Sequence, residues 1–414
     1  MKFHSIRIQN YKSINDITLY LSDVNLLIGP NNSGKSNILG ALKLFSDYVY
    51  YLHYKDFPAD SDFNKRISFV KDKKSGVVFE SDFTKFTLIF FVDTLDFNYY
   101  TLHISMKDTK NIDQLFRIAD ESKVELSNWR DTLDKSEYLE VDGFNIDNQK
   151  KFFSRTPSQL FTQRDVQTYN RFNHNYAGMI QNFASSLAGE FSDSSIYSIQ
   201  VEKLKAPARL TANEESVLSD GSNLVSFIDS MRDTNPKIIR EIEKDLFRFT
   251  KEFESIRLIK VTGDSTTEAT FKKLGLADKE DNTFWSDQLS EGVLYFLALL
   301  AIIHQPNPPH LLMLEEPEKG IHPRRIKEII ELIFQIAKDK GIRIILTTHS
   351  TYVVDQFTEF PEGVHIVDKI DKSTQVKNLK RDFLDKEEGR EDKIDYLSSL
   401  GEHWAIGFLG GVPE

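Results

Sequence analysis

Apolar and polar positions alternate at the start of the chain, first at Ile6 and Ile8 and then at Ile17, Leu19 and Leu21. That period of two predicts a pair of half-buried strands. The apolar run VNLLI, a glycine-containing turn and ILGALKLF follow, predicting a buried strand, a loop and a helix. Past Tyr50 the texture changes to many aromatics and charged turns such as KDKKSG. Strand-like runs at Gly76 to Phe83, Phe86 to Asp93 and Tyr99 to Met106 predict a β-rich lobe, with irregular and helical segments to about Ser195. A strand is expected over IYSIQVEKL. Ile238, Ile239, Ile242, Leu246, Phe249 and Phe253 have the spacing of one buried helix face. From Phe284 the pattern becomes strongly apolar again: WSDQLSEGVLYFLALLAII reads as a polar turn before a helix. HLLMLEEPEKGIHP and IRIILTTHS read as buried strands that end in polar residues. No heptad pattern persists long enough for a long coiled coil, and no internal repeat is visible.

Chemistry enters at Gly29 to Ser36. GPNNSGKS fits the phosphate-binding pattern GxxxxGK[ST] and lies between a predicted strand and a predicted helix. Glycines at 29 and 34 let the backbone curl so that successive N–H groups face phosphate oxygens, and the following helix presents the positive end of its dipole. Lys35 is then expected to reach the β and γ phosphates of a nucleoside triphosphate, with the Ser36 hydroxyl on Mg²⁺.

The later segments hold the candidate catalytic groups. Ser290 and Gly292 in LSEG fall at a helix N-terminus that favours an anion, although a serine cap before a helix is common in its own right. Glu315 and Glu316 end an apolar strand, at the edge where open α/β sheets bind ligands. Glu315 is placed to hold the Mg²⁺ hydration shell. Glu316, one residue later and so expected to point the other way, is the candidate to polarise water. His349 and Ser350 end the next strand; in the company of the other segments, His349 reads as a γ-phosphate sensor.

Composition narrows the setting. With 414 residues, 40% apolar and only 12 prolines, the chain reads as globular, with room for two or three domains. It has no run of 18 apolar residues, and MKFHSIRIQNYKS lacks the apolar centre of a signal peptide. Both point to a cytoplasmic protein with no membrane segment. Zero cysteines exclude disulfides, thiolate zinc sites and a cysteine nucleophile. A net charge of −11 argues against indiscriminate coating of nucleic acid and leaves a local basic groove open. Lys71, Lys73 and Lys74, or Arg324, Arg325 and Lys327, could meet phosphates, but such runs are usually solvated faces. Tyr48, Tyr50, Tyr51, Tyr54, Tyr99 and Tyr100 could recognise a partner or simply fill cores.

GPNNSGKSN, LSEG, LLMLEEPE and LTTHS, in that order, resemble the ATP-binding-cassette superfamily. IRIQNYKSINDITLYL followed by VNLLIGPNNSGKSNIL looks like its SMC, RecF and OLD branch. The doublet EE followed by PEKGIHP is similar to OLD-like (overcoming lysogenization defect) ATPases of prokaryotic anti-phage systems. The tail LGEHWAIGFLGGVPE looks like the end of stand-alone OLD-like AAA proteins. The similarity covers residues 1–48, about 284–360 and the tail. It implies an α/β fold: an ABC-type ATPase head, with a mixed sheet, P-loop core and antiparallel β-lobe, carrying a largely helical insertion. The expected division is 1–48 for the N-terminal part of the core, 49–195 for an inserted lobe, 196–283 for a strand and helical segment leading to the signature, 284–370 for the C-terminal part of the core, and 371–414 for a tail.

The resemblance also implies roles. Gly29, Asn31, Asn32, Ser33, Gly34, Lys35, Ser36 and Asn37 would bind the phosphates of ATP. Ser290 and Gly292 would touch the γ-phosphate held by a second subunit, so that ATP joins two chains. Glu318 to His322 would lie in the D-loop across that seam or form a plain surface turn. Gln163, Gln167, Gln181 and Gln200 compete for the role of a glutamine at Mg²⁺ or water. Two departures matter. Too few residues follow LTTHS for the Toprim nuclease of many OLD proteins, and Lys35 and Ser290 are only 255 positions apart, with no room for an SMC coiled coil. The leading expectation is an ATPase that forms a homodimer or higher oligomer and regulates a separately encoded, nuclease-like effector in phage defence. A RecF-like repair ATPase that binds DNA, and a slow-turnover assembly scaffold, are the alternatives.

Overall fold

The computed structural model describes residues 2–54, 84–91, 98–108, 111–120, 139–141, 189, 191, 194–261, 270–319, 321–387 and 394–412. The chain divides into two compact units. One comprises Met1–Ser192, Phe360–Tyr396 and His403–Glu414; the other comprises Asp193–Glu359 and Leu397–Glu402.

In the first unit, β1 (Lys2–Tyr11) and β2 (Ile14–Tyr20) form the antiparallel pair that the alternation predicts, with Ile8 opposite Ile17 and Ile6 opposite Leu19. All four side chains are buried. β3 (Val24–Ile28) is buried along its whole length and leads through the glycine-containing loop into α1 (Lys35–Tyr54). Ile38, Leu42 and Phe45 recur every three or four residues on the buried side of α1. β4 (Thr84–Phe91), β5 (Asn98–Asp108), β6 (Asn111–Asp120) and β7 (Leu139–Val141) extend the first pair into a six-stranded sheet of order β2-β1-β4-β5-β6-β7, antiparallel throughout. The sheet thus joins β1 and β2, from the stretch read as the N-terminal part of the core, to strands from the stretch read as an insert. The Gly76 to Phe83 run, Lys71, Lys73, Lys74, Gln163, Gln167, Gln181 and the expected helical part of the insert lie outside the described residues, as do the side chains of the six tyrosines.

The second unit begins with β8 (Ser195–Tyr197), α2 (Val201–Lys205) and β9 (Ala208–Arg209). The strand expected over IYSIQVEKL therefore stops early, and Val201 and Leu204 are buried from a helix instead. α3 (Leu224–Thr234) and α4 (Pro236–Thr250) follow. α4 starts with proline in its first turn and ends at Lys251, whose φ of 57° is left-handed. That cap explains why Phe253, read as the last residue of a helical stripe, opens β10 (Phe253–Val261). β10, β11 (Phe271–Asp278) and β12 (Thr283–Trp285) form an antiparallel sheet, with β9 also on β11.

α5 (Glu291–His304) is buried from Gly292 to Ile303, as its apolar sequence requires. β13 (Leu311–Glu315) runs parallel to β8 and to β14 (Arg343–Thr348), with α6 (Pro323–Lys340) between the latter two strands in sequence. α7 (Thr351–Asp355) follows β14. Back in the first unit, β15 (Val364–Ile370) lies parallel to β3 and antiparallel to β16 (Ser373–Asn378), which makes that sheet mixed. The tail is ordered by Trp404, whose Nε1 donates to Gly411 O at 3.0 Å. Among the described residues, no helix is long and apolar enough to cross a membrane.

Candidate nucleotide site

The phosphate loop joins the buried end of β3 to the first turn of α1. Gly29, Asn32 and Gly34 have φ values of 155°, 66° and 112°, the left-handed half of the map that glycine and asparagine tolerate best. A side chain at Gly29 would strike Val367 O of β15, and one at Gly34 would strike Thr374 of β16. Neither close approach is available to any other residue. Ser33 N–H donates to Pro30 O at 3.2 Å, and Ile38 N–H to Gly34 O at 3.0 Å, which closes the first helical turn.

Lys35 is 6% exposed. Its Nζ spans the loop, donating to Gly29 O at 2.7 Å and Pro30 O at 2.9 Å. Ser36, Asn31 and Asn32 face outward. Ser33 and Asn37 are placed differently from their neighbours. Ser33 is buried, and its Oγ has no hydrogen-bond partner. The Asn37 amide donates to Ser13 Oγ at 2.6 Å, towards the support of the loop. Lys369, at the end of β15, lies 3.5 Å from Asn32 Oδ1 and adds a second cation at the loop. Ser13, Lys369 and Thr374 carry no motif, and sequence reasoning missed them.

In the second unit β13 delivers Glu315 to its C-terminal end, half-exposed. Glu316 then leaves the strand with φ 45°, a conformation that costs a non-glycine residue on the order of 1 kcal/mol or more. Its N–H is held by Thr347 O at 3.1 Å and Thr347 Oγ1 at 3.3 Å. A left-handed turn, rather than continued strand alternation, therefore aims Glu316. Its Oε1 lies 3.4 Å from His349 Nε2, and its Oε2 4.0 Å from Lys319 Nζ. The structure thus brings together Glu316 and His349, two of the residues singled out for catalysis.

Glu318 does not project from a surface turn. Its Oε1 accepts from Thr348 Oγ1 at 2.5 Å and from His349 N–H at 3.3 Å, while its Oε2 is shielded and has no partner. Burial pushes its carboxyl pKa up against the lowering effect of those hydrogen bonds, and the nearby Glu316 carboxylate adds to the rise. Ile321 is buried, and His322 is the N-cap of α6, with Nδ1 accepting from Arg324 N–H at 3.3 Å. Arg325 and Lys327 pair with Glu328 and Glu331 on that helix, the arrangement of a solvated charged face.

Ser290 caps α5, its Oγ accepting from Val293 N–H at 3.4 Å. Gly292 is buried under Arg325, whose Cβ lies 3.5 Å from where a glycine Cβ would stand. Glu291 is neutralised by Lys205 Nζ at 2.8 Å. Gln200, the one described member of the glutamine candidates, is exposed ahead of α2, with its N–H on Asp220 O at 3.0 Å. Among the described residues, no group of three or more His, Asp or Glu could hold a metal ion alone.

The chain is similar to several known proteins. The family model described as "AAA domain, putative AbiEii toxin, Type IV TA system" matches residues 24–355. The energy-coupling factor transporter ATP-binding protein EcfA2 of Bacillus cereus is 31% identical over 72 residues, 17% of this chain and 24% of that protein. The methionine import ATP-binding protein MetN 4 of Oceanobacillus iheyensis is 30% identical over 148 residues, 33% of this chain and 41% of that protein. The chain therefore spans less than half the length of these curated relatives. The SMC head domain from Thermotoga maritima matches at 12% identity and a TM-score of 0.40, over 91% of this chain and 99% of that one. With a phosphate loop after β3, a mixed sheet of α/β character and a family match over residues 24–355, the chain belongs to the AAA-domain family so described.

Proposed function

We propose that this chain binds ATP with Mg²⁺ and hydrolyses it, and that ATP joins two copies, or a higher oligomer, into an OLD-like cytoplasmic regulator of a nuclease-like effector in anti-phage defence. The observation that carries the reading is the phosphate loop: two glycines wedged against Val367 and Thr374, with Lys35 bridging its carbonyls. Such a loop presents N–H groups and a buried cation to phosphates.

Each group then has a task. Lys35 balances charge on the β and γ phosphates, and Ser36 and Glu315 hold Mg²⁺ and its water. Bound Mg²⁺ supplies neutralisation of charge building on phosphate oxygens. Glu316 polarises the attacking water, and His349, whose imidazole faces Glu316, senses the γ-phosphate. Ser290 and Gly292 meet the γ-phosphate of the partner copy. Because that phosphate favours the engaged pair over separate chains, its cleavage removes the differential contact and releases them. The EEPEKGIHP resemblance and the toxin–antitoxin wording of the family description support a place in defence.

The test mixes Lys35→Ala with Ser290→Arg protein, each inactive alone. With shared sites, about half of the dimers in a one-to-one mixture are mixed and each keeps one intact site of two, so up to about a quarter of the wild-type turnover returns. No recovery at any ratio rejects the trans assignment.

A further inference from the structure

Residues outside the motif hold the phosphate loop from behind. Thr374 in β16 is fully buried, and its Oγ1 donates to Ser33 O at 3.1 Å. The same oxygen lies 2.7 Å from Ser13 Oγ, in the turn between β1 and β2, and Asn37 Nδ2 donates to Ser13 Oγ at 2.6 Å. A hydroxyl has one proton. With Thr374 giving its own to a carbonyl, Ser13 must donate to Thr374, and the chain runs one way: Asn37 to Ser13 to Thr374 to Ser33 O. A backbone bond from Thr374 N–H to Ser13 O at 2.7 Å fixes the pair.

The consequence lies in the peptide joining Ser33 to Gly34. A trans peptide is planar, with C=O and N–H pointing in opposite directions. Anchoring Ser33 O on Thr374 therefore turns the Gly34 N–H to the opposite face of the loop. Gly34 is the residue that Thr374 leaves no room to enlarge, so one side chain sets both the conformation of that peptide and its direction.

We propose that Thr374, acting with Ser13, is a positioning residue that aims the Gly34 N–H at a nucleotide phosphate. The assignment rests on the loop binding ATP. It adds the β15–β16 hairpin and the β1–β2 turn to the determinants of affinity.

The test is direct titration of the purified chain with ATP and, separately, adenosine. Variants are Thr374→Val, which keeps the shape, Thr374→Ser, which keeps the hydroxyl, and Lys35→Ala. The expected result is an ATP Kd raised about tenfold by Thr374→Val, within about twofold of wild type for Thr374→Ser, with adenosine binding unchanged. If Thr374→Val lacks a cooperative thermal transition, Ser13→Ala takes its place, with a rise of about threefold or more expected. An unchanged ATP Kd in the folded variant, or equal losses for ATP and adenosine, overturns the positioning role. ATP binding that survives Lys35→Ala instead overturns the underlying reading of the loop.

Discussion

Glu318 Oε1 accepts a 2.5 Å hydrogen bond from Thr348 Oγ1, tying the turn after β13 to the end of β14, where the Glu318 carboxylate also meets the His349 N–H. Burial holds the pKa of this carboxyl above its ordinary value near 4.5. The folded state then keeps a proton that the unfolded chain has released, so stability falls as pH rises from about 4.5 through the folded pKa. Glu318→Gln cannot ionise and retains an acceptor for Thr348. Its thermal midpoint, compared with wild type from pH 4.5 to 8, is expected to gain steadily and then level off. A difference that does not vary with pH contradicts the assignment.

His365 has the opposite sign. It is 1% exposed, and burial lowers its pKa from 6.5 to about 4 despite the bond to Gly363 O. The neutral ring folds more readily than the cation, so its contribution is complete above pH 6.5 and is lost as pH falls towards 4. The loss amounts to about 3 kcal/mol over that window. Denaturant midpoints of wild type and His365→Gln should converge as the buffer is acidified; parallel curves would refute this.

Gly34→Ala places a methyl group where Thr374 stands, at a φ of 112°. A cost of about 2 kcal/mol or more in unfolding free energy is expected, together with loss of ATP binding. Chemical denaturation with and without ATP checks both. A variant as stable as wild type means that β16 does not press on the loop as described.

Lys205 neutralises Glu291, the residue between Ser290 and Gly292. If this turn meets a phosphate, Lys205→Ala leaves a carboxylate facing an anion and weakens ATP-dependent association about three- to fivefold. Adding Glu291→Gln restores it. Sedimentation of the two variants with ATP decides the matter, and a double variant as weak as the single removes the electrostatic argument.

The parts legible in the sequence are those written within a few consecutive residues. Gly29 to Ser36 declared its strand, loop and helix because the glycines and Lys35 act through adjacent backbone. The alternation of Ile6, Ile8, Ile17 and Leu19 likewise set the β1–β2 face. Thr374 and Ser13 could not be read in the same way, since they meet across 361 positions and neither residue type is rare. Glu318 was visible as an acid but not as an inward one, because its direction depends on Thr348 and His349 at the end of another strand. Phe253 fitted the helical period, yet the left-handed Lys251 ended the helix before it.

The measurement that bears most directly on the account is ATP binding and turnover in Lys35→Ala and Glu316→Gln, made side by side with wild type. The account predicts that Lys35→Ala fails to bind ATP. Glu316→Gln should bind ATP as tightly as wild type but hydrolyse it about a hundredfold or more slowly, the usual worth of a positioned general base. Wild-type turnover in Glu316→Gln, or undiminished ATP binding in Lys35→Ala, would contradict it.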